Sequence, residues 1–510
     1  MISKRIKLSK KEKEKIKREL QKVVGEKNLL HTPETLYPYS GTGMVYPKFM
    51  PDFVVLPSSV DEVQKIVKLA NKFRIPLTPS ASATQEAGIY PFFGGILLDL
   101  MRMDRILKID VERGYAVIEP GVRIGDFAMR LKEKGMRCTV GSFPPSISVL
   151  GNSTQVAVNS HRSSGILHDI LGLEVVLPNG ELMRTGSMAF SHTIKNMTWH
   201  SYTNSFPDIT SLFINSHGTL GIITKGAVRI YNFNEPRMPL AGFDSYRKSV
   251  EFMKRLTREN LCQHVCVWHW CLYTIIDHLE RFGHGAPSEV LVYDPWSPPD
   301  DRPYNVVVPS MSGEKEDMDA HERVFERIAK ECGGFVCTEY MKEKFPGAYK
   351  FFYDHYALHI PTNTFMGAYG EGFPMMGITF TDPVRVSDLE EWGLKFLRKS
   401  PLKVGLAYYS HSVDQTRCVF LRMTPFVVAE SSKKERERAM RVRKRYMEIA
   451  MKKYGGVPIR PPYEKNFGET LDMTGEYGEV LRKIKRAIDP LNIMNPGYSI
   501  MMYGRKLLKE

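Results

Sequence analysis

Two stretches of this 510-residue chain are rich in small residues: Pro79-Ser-Ala-Ser-Ala-Thr84 and the run from Gly141 to Asn152. Small side chains allow close backbone approach, so such loops can converge N–H groups on a phosphate. The plainer reading is that both are ordinary turns, which Gly and Ser mark everywhere. A second group, Tyr408-Tyr-Ser-His411-Ser412, offers phenol and imidazole for proton transfer where an apolar strand ends. A single histidine is more often hydrogen-bonded structure than a base, and His269 is weighed the same way. The third group, Cys262, Cys266 and Cys271 with His264 and His269 among them, resembles a ligand set only in composition. Cys266-Val-Trp-His-Trp-Cys271 reads as a buried strand in which cysteine is a small core residue. No metal site is assigned.

The elements that would hold these residues follow from periodicity. Phe53-Val-Val-Leu56 is a short apolar strand, and Ser58-Ser-Val-Asp61-Glu62 starts a helix through a hydroxyl cap and early acids. Its apolar positions Val63, Ile66, Val67 and Ala70 recur at helical spacing. Pro76-Leu-Thr resumes a strand, giving a parallel crossover. Strands are expected at Gly95–Leu100, Ile106–Asp110, Ala116–Glu119, Leu173–Leu177, Glu181–Thr185 and Gly221–Tyr231, with a helix at Arg123–Lys134. Pro178-Asn-Gly180 between two of them signals a hairpin. Residues 236–450 change character, with helices at Ser249–Arg258, Met318–Glu331, Asp388–Arg398 and Ser432–Lys453. Strands there are expected at Val265–Leu272, Glu289–Tyr293, Phe373–Thr381, Gly405–Tyr409 and Arg417–Met423, in a sheet covered on one side. A last helix spans Gly475–Ile488.

Composition sets the outer limits. The chain is 43% hydrophobic and 11% aromatic, as a packed globular protein is, and its length calls for two or three domains. Its apolar runs are too short to span a membrane. The basic start has no apolar leader core. Seven cysteines, an odd number with no CxxC, fit a reducing, cytoplasmic location. The net charge of +14 gathers in the helical segments Lys4–Lys22 and Lys433–Lys453. Such faces are usually just solvated. The sharper readings are an acidic protein partner, an anionic substrate or a membrane surface. No nucleic-acid motif is present.

Several segments occur in a fixed order: Asp52-Phe-Val-Val-Leu-Pro57-Ser-Ser-Val-Asp61-Glu62, Glu119-Pro-Gly121-Val122, Val149-Leu-Gly151-Asn152-Ser153, Gly172-Leu-Glu-Val-Val-Leu-Pro-Asn-Gly-Glu181, His217-Gly218-Thr-Leu-Gly221-Ile-Ile-Thr-Lys225 and Asp489-Pro-Leu-Asn492-Ile-Met-Asn495-Pro-Gly497. The ordered set resembles the FAD-linked oxidases of the vanillyl-alcohol oxidase and p-cresol methylhydroxylase group, from about Pro51 to Gly497. The resemblance implies an α+β architecture: a two-subdomain FAD-binding domain of the p-cresol methylhydroxylase type, plus an α+β substrate domain whose sheet is covered by helices. The expected divisions are 1–50 for a basic helix and lead-in, 51–235 for the FAD domain, 236–455 for the substrate domain, and 456–510 returning to the FAD domain.

By position in that pattern, Pro79, Ser80, Ala81, Ser82, Ala83 and Thr84 form the first phosphate loop. Gly121, Gly141, Ser142, Val149, Gly151, Asn152, Ser153, Arg162, Gly165, Gly221, Ile222, Ile223 and Asn495 complete the FAD site. The family's loop normally carries glycine, and this one has none. Where relatives that oxidise 4-substituted phenols hold the phenolate with two tyrosines and an arginine, this chain has Gln85, Ile459 and Arg460, with Phe143 near the place of an acid. Arg460 suits a carboxylate or a structural ion pair. Arg460, Tyr408 and His411 are the expected catalytic residues. The strand Phe373–Phe380 offers neither histidine nor tyrosine for a covalent flavin link, so the resemblance implies non-covalent FAD. It implies hydride removal from an activated C–H or alcohol carbon of a small aromatic or anionic substrate, with electrons passing to a protein acceptor or oxygen. A homo- or hetero-oligomer is expected. Two alternatives stand beside it: a degenerate flavoprotein subunit serving assembly or electron relay, and a 2-hydroxy-acid dehydrogenase.

Overall fold

Ser59 caps the helix Val60–Phe73 by accepting from the Glu62 N–H, which satisfies one of the donors a helix start leaves open. The computed structural model describes residues 8–40, 49–82, 91–138, 144–154, 169–201, 205–283, 300–360, 378–399, 406–413, 418–425, 432–458 and 474–496, with Pro298 and Leu471. The helix crosses from the strand Phe53–Val55 to Leu77–Ser80, and Ile96–Asp99 lies between them, parallel to both. Leu29–Leu30 joins the edge antiparallel. Val63, Ile66, Val67 and Ala70 are fully buried against this sheet.

The N-terminal helix Lys10–Val24 does more than carry charge. A capping box joins Ser9 and Glu12, and Ile16, Leu20 and Val24 pack into the same core while the lysines face outward. Lys13 reaches the buried Asp52 carboxylate at 2.7 Å.

A second, antiparallel sheet runs in the order Ile106–Asp110, Tyr115–Ile118, Ile222–Arg229, Ile170–Val176, Leu182–Arg184. The expected hairpin is present. Asn179 accepts the Glu181 N–H through its side chain, and Gly180 takes φ +84°, a conformation that costs glycine little. Helix Ile124–Lys132 buries Phe127 and Leu131 against this sheet.

The third sheet runs in the order Phe335–Val336, Ala241–Phe243, Asn305–Ser312, His264–His269, Leu406–Val413, Cys418–Pro425, Ile378–Thr381, Val457–Pro458. Its central strands are covered on both faces, not one. Val265 and Val267 belong to a core with helices Tyr246–Arg258, Lys315–Glu331, Val386–Arg398 and Lys433–Tyr454. Cys266 and Trp268 belong to another with Trp270–Phe282, Thr338–Lys344 and Pro346–Phe352. A strand buried on both faces reads as an unbroken apolar run, which is how the expected strand came to extend to Leu272. It ends at His269, and Trp270 begins a helix. The strand Asn305–Ser312 and the helices of the second core are additions to the expected elements; Glu289–Tyr293 and the first part of Phe373–Thr381 lie outside the described residues.

Trp268 is fully buried among Phe351, Phe352 and Tyr356, with ring centroids 5.1–6.0 Å away. Replacing it with alanine is expected to cost about 3–5 kcal/mol, measured as a lower denaturant midpoint.

Candidate functional site

The parallel sheet and the antiparallel sheet meet at a crevice of about 80 Å³, open to solvent, at the C-terminal end of Leu77–Ser80. One wall is Pro79, Ser80 and Ala81; another is Leu150, Gly151 and Thr154; a third is Phe213, Ser216, His217, Gly218, Gly221 and Ile223. The first two walls are joined by Ser82, whose hydroxyl accepts the Ser148 N–H at 3.0 Å. Ser148 in turn donates to Pro120 O at 2.5 Å and accepts the Gly151 N–H at 2.8 Å. The third wall comes within touching distance of the first: a Cβ on Gly218 would lie 2.3 Å from Pro79 Cγ.

The glycine-free loop follows ordinary backbone as far as it is described, since none of Ser80, Ala81 and Ser82 has positive φ. The left-handed turn lies across the crevice instead, at His217 (φ 52°) and Gly218 (φ 71°). Ala81 and Gly218 both line the crevice, and their N–H groups donate to no acceptor among the described residues. Protein N–H groups rarely stay unpaired, and converging ones favour an anion. Ser80, Thr154 and Ser216 line the same space, their hydroxyls donating to Ala81 O, Leu150 O and Phe213 O. This donor set fits a pyrophosphate.

Behind the walls lies the C-terminal segment. Leu77 N–H donates to Ile493 O at 2.8 Å and Asn495 N–H to Leu77 O at 2.8 Å, so residues 493–495 extend the parallel sheet. Asn495 also donates through its side chain to His217 O at 2.8 Å. Lys485 and Asp489, each 1% exposed at the side chain, form an ion pair at 2.5 Å. Burial depresses the Lys485 pKa, against the pull of Asp489.

Of the expected cofactor residues, Pro79, Ser80, Ala81, Gly151, Gly221 and Ile223 line the crevice. Ser82, Asn152, Ser153 and Asn495 are close behind it in chain or by the bonds above. Val149 and Ile222 are core residues, and Gly121 packs its Cα against the carbonyls of Met101 and Met103. Ala83, Thr84, Gly141, Ser142, Arg162, Gly165 and Arg460 lie outside the described residues, as do Gln85, Phe143 and Ile459. Tyr408 and His411 share the strand Leu406–Val413. His411 pairs with Cys266, and Tyr408 with Met423, in an unbroken register. Phe213, Ser216, His217 and Gly218 are lining residues beyond the expected set. The signal for them was His217-Gly218-Thr-Leu-Gly221 itself, where a glycine follows a bulky residue in a turn.

A second polar seam joins the sheets. Arg137, buried beside Tyr231, contacts His359 Nε2 at 3.2 Å and donates to Gln263 Oε1 at 2.9 Å. Burial lowers the Arg137 pKa. It likewise lowers that of His355, to about 3, so His355 is neutral at physiological pH. Among the described residues no three His, Cys, Asp or Glu side chains cluster as metal ligands.

Comparison with known proteins bears on the crevice directly. Residues 51–186 match the model of an FAD-binding domain. The chain therefore carries an FAD-binding domain and is a flavoprotein. Its fold is that of p-cresol methylhydroxylase, whose substrate-bound crystal structure superimposes with a TM-score of 0.80 at 20% identity, covering 97% of this chain and 98% of that one. Among curated relatives of this flavoprotein is glycolate oxidase subunit GlcD of Bacillus subtilis, 32% identical over 227 residues, which are 42% of this chain and 44% of that one. Another is the flavoprotein subunit of 4-cresol dehydrogenase from Pseudomonas putida, 28% identical over 218 residues and 40% of each chain. The matched stretches span less than half of these relatives. Among the described residues no helix is long and apolar enough to cross a membrane.

Gly218→Ala would add about 1–2 kcal/mol of left-handed strain and drive a methyl into the Pro79 ring. The expected outcome is a lower thermal midpoint and weaker FAD retention on gel filtration, with Gly135→Ala, also at positive φ but in open space, as the control that keeps its flavin.

Proposed function

We propose that this flavoprotein is a dehydrogenase that takes a hydride from an alcohol carbon or activated C–H of a small anionic or aromatic substrate, and that FAD lies in the crevice with its pyrophosphate on Ala81 and Gly218. The observation that carries it is the pair of unpaired N–H donors, Ala81 within the matched FAD-binding domain and Gly218 on the wall facing it. When bound, the flavin ring supplies the hydride acceptor, and this chain's residues bind and orient. Pro79–Ser82, Gly151 and His217–Gly221 hold the dinucleotide. The substrate domain faces the ring, and Arg460 pairs with a substrate carboxylate, a role its planar fork suits. The stretch 373–380 contains no histidine or tyrosine, so the cofactor is held without a covalent bond.

Two features favour a protein as electron acceptor. The helix Lys433–Tyr454 presents exposed Lys434, Arg441, Lys444 and Arg445 within a chain of net charge +14, a surface that steers acidic partners. The 4-cresol dehydrogenase relative is itself named as a subunit. A second substrate reading, oxidation of a 2-hydroxy acid, is favoured by the likeness to glycolate oxidase subunit GlcD and by Gln85 and Ile459 standing where phenol oxidisers carry tyrosines.

The freshly purified protein is expected to show an oxidised-flavin spectrum, and acid precipitation should leave the colour in the supernatant as FAD. Colour in the pellet would disprove the non-covalent assignment; a colourless protein that takes up no FAD would point to a degenerate subunit. Anaerobic addition of D-lactate or glycolate should bleach the flavin on the hydroxy-acid reading. Bleaching by 4-methylphenol alone would reverse the substrate assignment.

A further inference from the structure

The Lys485 ammonium, on the helix Glu476–Ile488, reaches three oxygens from separate parts of the chain: Asp489 Oδ2 at 2.5 Å, Thr219 O at 2.6 Å and Met494 O at 2.9 Å. Thr219 directly follows the left-handed His217–Gly218 turn, one wall of the crevice. Met494 sits between Ile493 and Asn495, which hold Leu77, and Leu77 opens the strand that delivers Pro79, Ser80 and Ala81 to the facing wall. Asp489 anchors the same segment, accepting from the Ile493 N–H at 3.1 Å and the Met494 N–H at 2.9 Å. One cation therefore ties both walls together from behind. Lys485, Thr219, Asp489 and Met494 are all absent from the crevice lining, so the ammonium acts on a ligand only through the backbone it holds.

Stability alone does not call for a lysine here. Replacing a buried ion pair by well-packed apolar residues is often neutral or stabilising. An apolar side chain cannot, however, fix three oxygens at hydrogen-bond distance. A donor with three N–H bonds on one atom does so in different directions at once.

We propose that Lys485 is a positioning residue for FAD, holding the Gly218 wall against the Pro79–Ala81 wall so that the two unpaired N–H groups are preset for the pyrophosphate. This rests on the reading that FAD occupies the crevice.

The test uses full-length apoprotein of the wild type, Lys485→Met and the double variant Lys485→Met/Asp489→Asn. Methionine keeps the volume and removes the three bonds. Asparagine removes the stranded charge and keeps one carbonyl acceptor, for one of the Ile493 and Met494 amides. Two quantities are read: the FAD dissociation constant, from quenching of flavin fluorescence, and the thermal midpoint of the apoprotein. The double variant is expected to bind FAD about tenfold or more weakly, the loss of one charge-assisted bond's worth of preorganisation, while its apoprotein still melts cooperatively. An unchanged dissociation constant overturns the proposal whatever the midpoint does, because a purely structural lysine would lower the midpoint alone. If the double variant does not accumulate folded, Lys485→Gln, which keeps two donors on a neutral side chain, is read by the same criterion. A wild-type apoprotein that takes up no FAD would instead sink the crevice reading, which separates the two failures.

Discussion

The crevice exists because strands and turns far apart in the chain are drawn together behind it by a buried lysine. Lys485 and Asp489 are both sealed from water. Burying two charges carries a desolvation cost of several kcal/mol per ion, offset here by their mutual attraction and by the backbone groups that saturate them. Those groups come from the turn after Gly218 and from the return segment 493–495. The segment then completes the parallel sheet beside Leu77. The Asp489-Pro490 and Asn492–Asn495 motif is thus an architectural joint: Asp489 supplies the carboxylate, and Asn492 and Asn495 take the left-handed conformations (φ 52° and 41°) that asparagine tolerates well. The two Asn positions let the chain turn sharply enough to be caught by both partners.

Much of the first domain was legible because its signals are local. Ser59 before an acidic, apolar-periodic run gave the crossover helix, and Asn179-Gly180 gave the hairpin, each from residues that touch one another in sequence. The region of the third sheet was harder. A strand such as His264–His269, apolar on both faces, has no period to mark its end, and Trp270 onward continues the apolar run into a helix. The second core on that sheet was hidden for the same reason: helices Thr338–Lys344 and Pro346–Phe352 are short, and the aromatic residues they bury carry no strong helical stripe.

At the site, the small-residue loop Pro79–Ser82 was found by composition and pattern, and its backbone needs no glycine. The compensating feature, the left-handed His217–Gly218 turn, was quoted in the sequence motif but not assigned, because its relation to Pro79 depends on a contact across some 140 residues. Lys485 was invisible to any local rule. A lysine in an amphipathic helix ordinarily faces water, and only the tertiary structure shows it pointing inward at three oxygens.

The central claim is that FAD is held between these walls, and amide hydrogen exchange of the apoprotein with and without added FAD addresses it most directly. The account predicts slowed exchange in peptides covering 77–82, 149–154 and 216–221. It predicts little change around the larger cavity of about 630 Å³ lined by Tyr246, Tyr304, Phe335 and Glu390, beside the third sheet. Protection concentrated at that second cavity, with none at Ala81 or Gly218, would contradict it.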